Sequence, residues 1–189
     1  MELRKELVSA GRFLSLILRH KLETIGITLD EHGWADVEKL IAGIRAVCFF
    51  DRDMLEKIVA NNKQRFAFNE ARTKIRANQG HSVQVDMELQ GQEPPEILFH
   101  GTGRKYVDNI LRAGLLSRTR LYVHFSADRE IAVQVGSRHG QPVVLTVQVG
   151  QMHRDGHMFY RSANGVWLTK AVPAAYLSIL DNDPAAQIR

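Results

Sequence analysis

Between Leu98 and Ser126 the chain reads strand, helix, strand, and few folds accept that order around two histidines. LFHGT at 98–102 and RLYVHFS at 120–126 each alternate side chains as a strand does. His100 and His124 are therefore expected to project from two strands of one sheet, with a short helix between them. That is the outline of a ligand cleft. Gly101 and Gly103 flank Thr102 and leave the backbone bare where the first strand ends, which lets main-chain N–H groups approach a phosphate or an amide. Tyr106, Val107, Ile110 and Leu111 follow at helical spacing, and Gly114 is placed to close that helix. Taken singly, each histidine also reads as a packed strand residue with satisfied ring nitrogens. The glycines beside them favour a site.

A chain of 189 residues, 44% hydrophobic and 24% charged, is ordinary for a globular protein of one large or two small domains. No run approaches the ~20 apolar residues of a membrane span, and MELRKELV lacks the apolar stretch of a secretory signal, so a cytoplasmic protein with no membrane partner is expected. The single cysteine, Cys48, excludes an internal disulfide and a thiolate metal cluster, in keeping with a reducing compartment. Its neighbours Val47, Phe49 and Phe50 make it read as a small core residue. A net charge of +4 is a mild bias towards anionic partners.

Leu3, Leu7, Ala10, Leu14, Ile17 and Leu18 recur at spacings of three and four, which predicts one amphipathic helix over 1–22 with Arg19 and His20 in its last turn. A turn at 30–33 precedes a second helix carrying Val37, Leu40, Ile41 and Ile44, with Trp34 covering that core. A third begins near Asp53, where Asp53 and Glu56 have capping-box spacing. The period then changes. Arg65 to Phe68 alternates, residues 69–71 turn, and Thr73 to Ala77 alternates again, a β-hairpin. Three helices followed by a hairpin is the layout of a winged helix. Lys63, Arg65, Arg72, Lys74 and Arg76 oppose only Glu70 across this stretch; a solvated charged hairpin and phosphate binding both fit. IRANQGHS at 75–82 leaves the hairpin in a polar Gly-His-Ser turn. GQEPPE at 91–96 reads as a linker, so we place one domain over 1–90 and another over 97–189. In the second, 128–138 is expected to be helical and 142–149, 165–169 and 174–180 to be strands. The fold class is α+β.

His153 and His157 have an i, i+4 spacing, but Gly156 and Arg154-Asp155 place them in a loop, without a metal. GTGRK at 101–105 lacks the spacing of a phosphate-binding loop or a dinucleotide fingerprint. Beyond Ile97 the carboxylates are only Asp108, Asp128, Glu130, Asp155, Asp181 and Asp183, which argues against a paired-carboxylate hydrolase.

Five strings, LILRHKL, KQRFAF, IRANQGHS, LFHGT and RLYVHFS, occur in an order and spacing that resembles the NAD-dependent RNA 2'-phosphotransferase family from about Phe13 to about Leu180. The resemblance implies a winged-helix RNA lobe followed by a mostly β, ADP-ribosyltransferase-like NAD lobe. It also implies a reaction in two steps. An internal RNA 2'-phosphate displaces nicotinamide from NAD; the ribose O2'' then attacks that phosphodiester, releasing the RNA 2'-OH and ADP-ribose 1'',2''-cyclic phosphate. The family's catalytic Arg-His-Arg-Arg set falls on Arg19, His20, Arg65 and Arg120. Its NAD-contacting His-Gly-Thr falls on His100, Gly101 and Thr102, with His124 and Ser126 on the second strand; Phe125 stands where leucine is common.

Lys63, Arg72 and Lys74 are expected to contact RNA phosphates. The partners so implied are RNA carrying a 2'-phosphate and NAD as co-substrate, with no metal, and the protein is expected to be a monomer. With arginines drawn from both lobes, the reaction centre is expected in the cleft between them. The chemistry is consistent with the scarcity of carboxylates: a phosphate monoester carries about −1.5 to −2 charge at pH 7 and needs no base to act as nucleophile. Two other readings remain. One is an ADP-ribosyltransferase acting on nucleic-acid phosphate ends or protein, the other a non-catalytic nucleic-acid-binding regulator.

Overall fold

The computed structural model describes residues 2–61 and 64–180, and the chain forms two compact units. The first takes in residues 1–89 together with 119–121, the second 90–118 together with 122–189.

In the first unit, α1 (Glu2–Arg19) forms because its apolar residues fall on one face: Leu14, Ile17 and Leu18 are completely buried. It stops three residues short of the expected end. The amides of His20 and Lys21 both bond to the Leu16 carbonyl at 3.0 Å, which closes the helix, and a single 3₁₀ turn, Leu22–Ile25, follows. α2 (Val37–Arg45) is capped by Asp36, whose side chain accepts from the Lys39 amide. α3 (Arg52–Asn61) starts before the expected Asp53, because Asp51 is the residue that caps it, accepting from the Met54 amide at 2.8 Å. Asp53 pairs instead with Lys57 one turn on.

The hairpin forms as expected from β2 (Phe66–Phe68) and β3 (Lys74–Ala77), and β3 pairs on its other edge with a two-residue strand, β1 (Ala35–Asp36). The helices and this sheet enclose one core that includes Leu40, Leu55, Phe66 and Ile75. Truncating any of these fully buried leucines to alanine is expected to cost about 2–5 kcal/mol. Cys48 is not in that core. The chain turns after α2, with the Val47 and Cys48 amides both on the Ile44 carbonyl, so that Val47, Cys48 and Phe49 face solvent and Phe50 alone turns inward.

In the second unit, β4 (Leu98–Gly103) pairs antiparallel with β7 (Pro142–Val147) over its whole length, from Leu98 opposite Val147 to Gly103 opposite Pro142. β11 (Leu177–Ile179) lies on the other edge of β7. A separate three-stranded sheet is built from β6 (Val123–Phe125), β9 (Trp167–Thr169) and β8 (Tyr160–Arg161), in that order. His100 and His124 are thus on two sheets rather than one. The sheets meet through one residue pair: the Phe99 amide bonds to the Ser126 carbonyl at 2.8 Å, and the Ser126 amide returns to the Phe99 carbonyl at 2.9 Å.

A two-stranded ribbon, β5 (Leu115–Leu116) with β10 (Ala171–Val172), and three short helices complete the unit: α4 (Val107–Ala113), α5 (Arg129–Gly136) and α6 (Val149–Arg154). α4 ends at Gly114, φ +84°. The β-branched run beginning at 142 ends as a strand at Val147, and Val149 opens α6. His153 therefore lies in a helix, not in the expected loop, while His157 follows the turn at Gly156. Residues 174–176 form a 3₁₀ turn ahead of β11. Small antiparallel sheets with segregated helices make the chain α+β, and no helix among the described residues is long and apolar enough to cross a membrane.

Candidate active site

Arg19, His20, Arg65 and Arg120 all fall in the first unit. Arg120 was expected from the second lobe, but the three residues Thr119–Leu121 group with the first unit while their neighbours on both sides belong to the second. None of the four side chains sits inside a strand. Arg19 is the last residue of α1, His20 follows it, Arg65 precedes β2, and Arg120 lies three residues before β6.

One short stretch ties all four together. The chain leaving β3, Asn78 to Ser82, gives the Asn78 amide to the Arg65 carbonyl at 2.9 Å and the Ser82 amide to the Arg19 carbonyl at 3.0 Å, and it accepts the Leu121 amide on the His81 carbonyl at 3.0 Å. The Asn78 side-chain amide also donates to the Gln64 carbonyl. Ser82 Oγ lies 2.9 Å from His20 Nδ1 and 3.3 Å from the Arg19 carbonyl. Gly80 supplies the bend, at φ +89°, where its bare Cα faces the Arg19 guanidinium. Asn78 and His81 are buried. The sequence displays these polar residues in IRANQGHS, but their function as anchors depends on partners up to 63 positions away.

The electrostatics of this cluster favour an anion. Arg19 Nε and Nη2 are shielded from water and have no hydrogen-bond partner among the described residues. Burial, together with Arg65 and Arg120, pulls the Arg19 guanidinium down to about 10. Its packing is against the Phe66 ring, 5.9 Å from the centroid. Such a buried, unpaired cation is costly, and a phosphate taking two N–H bonds from it removes the cost. Burial, then Arg120 and Arg19, lowers the His20 imidazole below its usual value, so at pH 7 the ring is neutral and able to accept a proton. His81, buried beside Arg19, His20 and Arg76, is pulled down to about 4, by burial first.

The cations of the hairpin are placed differently. Arg72 pairs with Glu56 at 3.2 Å and lies over the Phe68 ring, and Lys74 pairs with Asp30 at 2.9 Å. Lys63 lies outside the described residues. Both observed pairs are about half exposed, where an ion pair is worth ~0–1 kcal/mol.

In the second unit, His100 Nδ1–H donates to the His124 carbonyl at 3.0 Å, which fixes the ring's tautomer and orientation. Gly101 and Gly103 are buried, and the reason for glycine differs from the one the sequence offers. A Cβ on Gly101 would strike the Ala132 carbonyl of α5, and one on Gly103 the His139 carbonyl. Close packing of the α5 segment against β4 is what requires them. Thr102 is buried and borders a pocket lined by Tyr106, Asn109, Ile110, Arg118 and His139. Ser126 Oγ accepts from the Asp128 amide at 3.0 Å, ahead of α5, whose cap is Asp128.

A family profile described as "RNA 2'-phosphotransferase, Tpt1 / KptA family" matches residues 5–171. Proteins named "Probable RNA 2'-phosphotransferase" are similar over nearly their whole length. The one from Hahella chejuensis is 48% identical over 182 residues, covering 95% of this chain and 98% of its own. The one from Flavobacterium johnsoniae is 51% identical over 175 residues, covering 89% and 94%. That from Agrobacterium fabrum is 48% identical over 183 residues, covering 96% and 98%. The profile spans both units and every residue of the arginine–histidine cluster. The chain therefore belongs to the RNA 2'-phosphotransferase, Tpt1 / KptA family, and is a transferase.

Proposed function

We propose that this chain removes an internal RNA 2'-phosphate by passing it to NAD, with the first unit as a winged-helix RNA lobe and the second as an ADP-ribosyltransferase-like NAD lobe. The observation that carries the reading is Arg19: a buried guanidinium with two nitrogens, Nε and Nη2, that have no hydrogen-bond partner among the described residues, beside Arg65 and Arg120. A structural arginine at that depth would be paired with a carboxylate. This one has the environment of a residue whose partner arrives with the substrate.

The residues divide the work. Arg19, Arg65 and Arg120 bind the dianionic 2'-phosphate and fix the direction of its free oxygens, so its attack on the ribose C1'' is mainly a matter of positioning. Once the phosphate is a diester, the same guanidiniums stabilise the charge that gathers on its oxygens as the ribose O2'' attacks. They supply the positive charge that Mg²⁺ supplies in other phosphoryl transfers. Neutral His20 takes the proton from O2'' and returns it to the departing RNA 2'-oxygen. In the second unit, His100 with its fixed ring, Gly101, Thr102, His124 and Ser126 bind NAD, which supplies the electrophilic ribose carbon and the nicotinamide leaving group. The pocket beside Thr102 supports this with an aromatic ring at Tyr106, an amide at Asn109 and a cation at Arg118, groups suited to a dinucleotide.

The test is incubation with an oligonucleotide bearing one internal 2'-phosphate, with and without NAD and in EDTA. Loss of the phosphate that requires NAD and persists in EDTA is expected. ADP-ribose left on the acceptor as the end product would mark an ADP-ribosyltransferase instead.

A further inference from the structure

We propose that Ser82 is a positioning residue that fixes His20 as the Nδ1–H tautomer, leaving Nε2 as the atom that exchanges protons with the reacting oxygens. The inference rests on the reading of His20 as the proton carrier given above.

Ser82 has one hydroxyl proton and two acceptors near it. The Arg19 carbonyl, 3.3 Å from Oγ, belongs to the last residue of α1 and is an acceptor only. With the hydroxyl proton directed there, Oγ offers a lone pair to His20, and the ring nitrogen 2.9 Å away, Nδ1, must be the donor. Ser82 is itself held, because its amide is bonded to the same carbonyl at 3.0 Å. The backbone that carries Oγ is thereby fastened to the end of α1.

Alone in water, a neutral imidazole favours the proton on Nε2, which would put the base on the wrong side of the ring. Ser82 reverses that preference, as the acceptor behind a metal-bound or triad histidine does. The charged groups acting on the ring, Arg120 and Arg19, both disfavour the imidazolium. His81, on which the His20 ring acts in turn, is pushed towards its neutral form. The ring therefore begins neutral. The proton then moves from O2''–H to Nε2 as the O2''–P bond forms, and from Nε2 to the RNA 2'-oxygen as the P–O2' bond breaks.

The experiment uses the full chain labelled with ¹⁵N-histidine, read by long-range ¹H–¹⁵N correlation at pH 7.5, with the His20→Gln variant to assign the ring. In the unsubstituted protein His20 is expected to show a protonated Nδ1 and an unprotonated Nε2. Ser82→Ala is expected to move the proton to Nε2, and Ser82→Thr, which keeps the hydroxyl, to restore the first pattern. In parallel, Ser82→Ala is expected to lower kcat for NAD-dependent phosphate loss by roughly 10- to 100-fold, the range for loss of an orienting partner, without changing KM for NAD. An unsubstituted ring protonated on Nε2, or a Ser82→Ala ring with an unchanged pattern, overturns the proposal. If Ser82→Ala does not fold, the spectrum of the unsubstituted protein decides alone. The expected tautomers with no phosphate loss in any variant would overturn the functional reading and leave the Ser82 assignment standing.

Discussion

Arg19 in the first unit and His100 in the second are both partly buried, yet their surroundings differ in kind. His100 lies within a fully paired strand, and its Nδ1–H is taken up by the His124 carbonyl. Arg19 lies at a helix end, with Nε and Nη2 bonded to nothing among the described residues and two other arginines acting on it. The second unit thus holds the His100 ring within regular structure at little cost to the fold. The first holds at Arg19 a cation whose Nε and Nη2 have no partner among the described residues, and Ser82 fastens the backbone there. Strain of this sort is kept where a ligand relieves it.

Removing the uncompensated charge should separate activity from stability. Arg19→Met keeps the apolar stem over Phe66 and deletes the cation. Phosphate transfer is expected to fall 10²- to 10³-fold, as for loss of a preorganised donor, while the folded state gains on the order of 1–3 kcal/mol, read as a higher Tm. A lower Tm would mean that Arg19 supports the fold.

The second prediction concerns acid. His81 takes up a proton at 6.5 in the ordinary case and only at about 4 in the folded chain, so between those values the unfolded chain binds more protons and stability falls as the pH falls. That difference corresponds to on the order of 3 kcal/mol, fully lost below pH 4. Urea unfolding at pH 7 and pH 4.5 should show most of this loss, and His81→Leu should flatten it. A slope unchanged by His81→Leu would place the acid sensitivity elsewhere.

The smallest effect belongs to the hairpin. Arg72 and Lys74 are already engaged by Glu56 and Asp30, so each alanine substitution is expected to weaken RNA binding only a few-fold, within ~1 kcal/mol, and to reduce the salt dependence by about one phosphate contact. Loss of binding on either substitution alone would make the hairpin, not the arginine cluster, the main anchor for RNA.

Much of the fold is legible because periodicity reports it. Leu14, Ile17 and Leu18 show the first helix, and Phe66 to Phe68 opposite Ile75 to Ala77 show the hairpin. The departures occur where a local pattern is overruled by a tertiary contact. Cys48 has apolar neighbours, but the chain's turn after α2 sends 47–49 outward. Val149 continues a β-branched run and yet opens a helix. Asp53 has capping spacing, but Asp51 supplies the cap. Gly101 and Gly103 advertise a bare backbone, and only the position of α5 and the turn after it shows what fills that space. The residues of the arginine–histidine cluster were identifiable as strings. Their common anchor at 78–82 was not, because each of its bonds joins positions distant in sequence.

The division of roles between the two units is tested most directly by one gel. A 2'-phosphorylated oligonucleotide is incubated with labelled NAD and each of three variants, Arg65→Ala, Arg120→Ala and His100→Ala. The two arginine variants are expected to slow the second step 10²- to 10³-fold and the first step less, and so to accumulate a slower band that carries the NAD label. His100→Ala is expected to leave the oligonucleotide unmodified. Conversion to product without a labelled band in both arginine variants, or accumulation of that band with His100→Ala, would contradict it.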